Sequence, residues 1–79
     1  MMNIEVGPES DKLMSYNEAV MYCFCFTQDG KIGWRLPTRE EYDWIGEIAT
    51  IGNWYQDDPL KDDADEFWAA TPVRDLKDD

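Results

Sequence analysis

The sequence predicts a small α+β domain in which two helices pack on a small antiparallel sheet. Two observations carry this. Two serine/threonine capping boxes mark two helix starts, Ser15 with Glu18 and Thr38 with Glu41. Short apolar stretches around Ile4, Trp34 and Phe67 read as strands between and outside them. The 79 residues leave room for one domain, and a core of that size is marginal. Aromatic residues, 14% of the chain, offset this, because each buries roughly 150–250 Å².

The elements follow in order. "MNIEV" predicts a short strand with Ile4 and Val6 on one face, broken by "GPESDK". Ser15 then caps a helix from Tyr16 to about Phe26, with Ala19, Tyr22, Cys23 and Phe26 facing inward. The run "MYCFCF" is apolar at nearly every position, so a strand is the alternative there. Gly30 in "TQDGK" is the expected left-handed residue that ends this helix. In "KIGWRLP", Ile32, Trp34 and Leu36 alternate as a half-buried strand, and Arg35 points the other way, into a surface salt bridge. Pro37 keeps Leu36 extended. Thr38 then caps a second helix that turns Tyr42, Ile45, Ile48 and Ala49 inward, with Trp44 and Ile51 alongside, and closes at Gly52. Phe67 to about Thr71 forms a late strand ended by Pro72. The ordered core is expected over about residues 3–73, with 74–79 a frayed acidic tail.

Composition narrows function by exclusion. Eighteen acids against seven bases give a net charge of −11. Nucleic-acid backbones are bound by Lys and Arg, so that class is excluded, and anionic membranes are disfavoured for the same reason. Cys23 and Cys25 are too close for an unstrained disulfide. Without a histidine they also cannot complete a zinc site. Both are expected as reduced core residues. No leader-like or membrane-length apolar segment is present, which points to the cytoplasm. No nucleophile–base pair or phosphate loop is visible, so neither an enzyme nor a cofactor is expected.

The candidate binding segment is residues 53–66. It opens with Trp54 and Tyr55 and carries Asp57, Asp58, Asp62, Asp63, Asp65 and Glu66 against one base, Lys61. It lacks the spacing of a calcium loop. Adjacent aromatics in acidic surroundings suit a protein interface, with the acids steering a basic partner and the aromatics anchoring it.

The order "EAVMYC", "GWRLPTREEY", "FWAAT" resembles the bacterial and phage domains of the DUF1566 type. The likeness spans Ser15 to Thr71 and centres on Trp34-Arg35-Leu36-Pro37-Thr38, with Ala19, Tyr22, Cys23, Phe67, Trp68 and Thr71 in support. Such domains are similar to the sulfatase-modifying-factor domains, and both belong to the C-type-lectin-like fold. The resemblance implies a reduced version of that scaffold, encoded by a phage. The late cysteine pair of the sulfatase-modifying chemistry and the lectin sugar motif are both missing. Three functions are therefore expected in order: a non-catalytic module binding a basic protein, an acidic nucleic-acid mimic that blocks a nucleic-acid-binding protein, and a carbohydrate-binding lectin remnant.

Overall fold

A computed structural model of the chain describes residues 3–46 and 52–76. The elements are β1 (Ile4–Val6), α1 (Tyr16–Cys25), α2 (Arg39–Ile45) and β2 (Val73–Asp75). β1 and β2 pair antiparallel, with Ile4 opposite Asp75, Glu5 opposite Arg74 and Val6 opposite Val73. The expected small α+β arrangement of two helices with an antiparallel sheet is what forms. Three-residue strands are not stable alone. Here Ile4, Val73 and Ile45 of α2 bury one face together, with Val6 beside them. Ladder bonds extend past the strands, from the Gly7 amide to Pro72 O (2.8 Å) and from the Leu76 amide to Asn3 O (3.1 Å).

Both capping boxes close. The Ser15 hydroxyl accepts from the Glu18 amide at 3.3 Å, and the Glu18 carboxylate accepts from the Ser15 amide at 2.9 Å. The Thr38 hydroxyl accepts from the Glu41 amide at 3.2 Å, and Glu41 Oε1 accepts from the Thr38 amide at 2.8 Å. α1 stops at Cys25, where Phe26 turns extended. Gly30 does not end it. Asp29 (φ 56°) and Gly30 (φ 77°) form the centre of a separate tight turn that bridges Gln28 to Lys31. Left-handed backbone at both central positions is what a type I′ turn requires, and Asp-Gly supplies it.

The strand expected in "KIGWRLP" reduces to isolated bridges, Lys31 to Gln28 in the tight turn and Arg35 to Val73. Trp34 and Leu36 are buried as the alternation predicts, but Ile32 is 73% exposed. Gly33 explains this, because its φ of 88° swivels the chain between Ile32 and Trp34. The late strand is also displaced. Residues 67–71 make isolated bridges, Trp68 to Met14 and Ala69 to Asn53. The regular strand begins after Pro72 instead of ending there. Arg74 and Asp75, expected in a frayed tail, lie in β2. Residues 77–79 lie outside the described residues.

α2 is shorter than its pattern, with Gly46 and not Gly52 following its last residue. Ile45 is buried, Tyr42 half-buried, and Trp44 41% exposed. Ile48, Ala49 and Ile51 lie outside the described residues. The main core joins Ala19 and Cys23 of α1 to Leu36, Trp54 and Ala70, with Met14, Tyr16, Tyr22, Leu60 and Trp68 packed against it.

Arg35 departs most from expectation. It does point away from Trp34 and Leu36, but α2 and β2 cover that side. Its guanidinium forks onto Glu41 at 2.8 and 3.0 Å and reaches Asp75 at 2.6 Å. Glu41 is only 8% exposed. The Arg35 hydrogen bonds hold its carboxyl below the usual carboxylate range, outweighing burial, which acts the other way. Paired forks of this kind are strong and geometrically specific.

Leu36→Ala should therefore cost about 2–5 kcal/mol, as core truncations do. Arg35→Ala should cost roughly 1.5–3 kcal/mol, because it strands a buried carboxylate. Chemical denaturation of both variants checks this. Glu41 binds its proton less readily folded than unfolded. The stability this gives is complete above the unfolded value of about 4.3 and is lost as pH falls through the lower folded value. Stability measured from neutral pH into acid should fall more gently in Glu41→Gln than in the parent.

Candidate functional site

The segment 53–66 divides into a buried half and an exposed half. Trp54 is wholly buried. Its ring stacks on Trp68 at 5.4 Å and makes a T-shaped contact with Tyr16 at 5.7 Å. Its indole N–H donates to Met14 O at 2.6 Å. Trp54 is thus a core residue, and its expected role as a partner anchor is corrected. Tyr55 is half-buried and stacks on Tyr42 at 4.7 Å, so much of its surface is already used. Burial is the main reason its phenol is pushed up.

The acids separate in the same way. Asp58 is 1% exposed, and its Oδ1 accepts from the Leu60 amide at 2.9 Å. Asp63 Oδ1 accepts from the Asp65 amide at 3.0 Å. Both are Asx turns, in which a carboxylate ties down the amide two residues on. Asp58 therefore shapes the loop and is withdrawn from any partner face, contrary to expectation. Asp57, Asp62, Asp63 and Asp65 stand exposed, and Glu66 is half-buried. Lys61 comes only within 4.0 Å of Asp57. Leu60 packs on the core and fastens the loop from beneath. Among the described residues, no cluster of His, Cys, Asp or Glu is arranged to hold a metal.

Two concavities flank Tyr16. A cleft of about 470 Å³ lies between the start of α1 (Ser15, Tyr16, Asn17) and the loop (Lys61, Asp62, Asp63, Ala64). A groove of about 310 Å³ lies along α1 between Tyr16, Val20 and Phe24 on one side and Trp34, Leu36 and Gln56 on the other, with Arg35 also lining it. The groove was not foreseen from the sequence. Its signal was present in "MYCFCF", a helical run apolar on more than one face.

α1 turns small residues to the core, with Tyr16 and Tyr22 packed alongside, and leaves several large apolar ones outside. Ala19 and Cys23 are inaccessible, whereas Val20, Met21 and Phe24 are exposed, Phe24 by 74%. Cys25, expected in the core, is exposed as well. Phe26 is half-buried, meeting the Trp34 ring edge-on at 4.9 Å. No family model, curated protein or solved structure matches the chain.

Both cysteines are free thiols, as expected. Burial pushes the Cys23 thiol up to about 12, so at neutral pH it is protonated as well as shielded. Thiol titration of native protein should show one fast group, Cys25, and a second released only on unfolding. Trp54→Ala should behave as a core truncation and cost about 3–5 kcal/mol in thermal or chemical unfolding.

Proposed function

We propose that the chain is a non-catalytic protein-interaction module whose acidic edge receives a basic partner. The observation that carries this reading is the division of the loop. Trp54 and Leu60 clamp it to the core, while Asp57, Asp62, Asp63 and Asp65 stand exposed around a single lysine. Such an edge concentrates negative potential on a defined surface and speeds encounter with a positively charged protein. The scaffold is proposed as a reduced DUF1566-type domain. Its support is that the Trp-Arg-Leu-Pro-Thr junction behaves as one unit, with Arg35, Thr38 and Glu41 joined through a shared carboxylate.

A nucleic-acid mimic is the second reading, favoured by the −11 charge and the outward carboxylates. A lectin remnant has less support, since sugar binding needs convergent free polar groups. The polar groups beside the groove are engaged within the chain: the Tyr16 hydroxyl donates to Gln56 O and the Gln56 amide to Leu36 O.

Affinity capture from the native host, followed by binding kinetics, tests the proposal. The triple variant Asp62→Asn, Asp63→Asn, Asp65→Asn should associate more slowly with the captured partner and show a flatter salt dependence. Parental kinetics from the folded triple variant would contradict the acidic-edge reading. Competition between the chain and duplex DNA for the partner would favour the mimic.

A further inference from the structure

The groove along α1 shows what kind of contact accompanies the acidic edge. We propose that it is the docking site for a bulky apolar side chain on a basic segment of the protein partner. This rests on the acidic-edge reading and names the recognition element that reading leaves open.

Three features converge. First, large apolar residues of α1 are left outside the core: Ala19 and Cys23 are buried while Val20 and Phe24 line an open groove. Scattered apolar residues on a surface need no explanation, but large ones gathered beside a concavity mark a contact surface. Second, the groove's polar neighbours have partners. Leu36 O accepts from both Arg35 and the Gln56 side chain, and Gln56 O accepts from Tyr16. The Arg35 guanidinium is held by Glu41 and Asp75. The walls therefore favour an aliphatic or aromatic group over an anion or a sugar, whose polar atoms would find few free partners. Third, Tyr16 lines both the groove and the cleft that holds Asp62 and Asp63. A segment seated in the groove runs directly past those carboxylates, so its complement carries lysine or arginine. Charge also selects against a second copy of this chain, which would bring another −11 to the same surface.

Two lysine-rich synthetic peptides test this, identical except that one carries leucine and phenylalanine where the other carries serine. Affinities are measured by fluorescence anisotropy for the parent, Phe24→Ser, Val20→Ser and the pair Asp62→Asn, Asp63→Asn. Circular dichroism verifies folding. The parent should bind the apolar peptide about tenfold or more tightly than the serine peptide, an anchor-sized difference. Phe24→Ser should erase that preference without changing the serine peptide's affinity. Val20→Ser supplies the same readout if Phe24→Ser fails to fold. The aspartate variant should weaken both peptides. Equal affinity of the two peptides for the parent, or an undiminished preference in both serine variants, overturns the groove proposal and leaves the acidic edge standing. Undiminished binding of both peptides by the aspartate variant overturns the acidic edge instead. Binding of neither peptide overturns both. Sedimentation that shows a dimer abolished by Phe24→Ser also overturns the proposal, because a second copy would then be the occupant.

Discussion

The burial of Trp54 is the constraint on which the rest of the structure depends. The larger of the two buried clusters among the described residues of this 79-residue chain is arranged around the Trp54 indole, held by Tyr16, Trp68 and Met14 O. With Trp68 and Tyr16 already against that ring, the remaining space beside it is small. Three of the positions that share its cluster are small and inaccessible, Ala19, Cys23 and Ala70, beside the larger Leu36. Large and small residues must interdigitate to reach interior packing density. Ala19 and Cys23 are the small positions of α1 that fit beside Trp54, and Val20, Met21 and Phe24 of the same helix are left outside. The groove is thus a by-product of the core's composition that is available for recognition.

Charge is organised by a second constraint. Arg35 ties the start of α2 to β2 through Glu41 and Asp75, while its backbone bridges Val73. Glu5 in β1 meets both Arg74 and Lys31. Bases are therefore engaged where β1 and β2 come together, and the loop between α2 and β2 has only Lys61 for its acids. The uneven field follows from pairing at the sheet and scarcity of partners at the loop. The same Glu41 that completes a capping box also receives the arginine fork. One buried carboxylate consequently links a local helix signal to the closure of the fold.

The helix starts were legible because a capping box is a local hydrogen-bond pattern that needs no tertiary partner. The inward faces of Ile4, Ala19, Cys23, Trp34, Leu36 and Ile45 were legible from period alone. Other features depended on distant parts of the chain. The alternation failed at Ile32 because Gly33 adopts positive φ, which residue type permits but does not dictate. Arg35 looked like a surface residue because no pattern within "GWRLP" reveals that α2 and β2 cover its far side. Trp54 and Tyr55 looked like interface anchors because neither helix pattern required them. Their partners, Trp68, Tyr16 and Tyr42, come from other segments. Asp58 and Asp62 look alike in an acidic run, yet one is a buried turn residue and the other lines an open cleft.

Hydrogen exchange at the tryptophan indoles tests the central role of Trp54 most directly. Four indole N–H groups report on four different environments in one spectrum. That of Trp54, buried and bonded to Met14 O, should exchange only with global unfolding, at the rate of the slowest backbone amides. That of the exposed Trp44 should exchange orders of magnitude faster. Rapid exchange at Trp54, comparable to Trp44, would show that the core is not built around this side chain and would contradict the account.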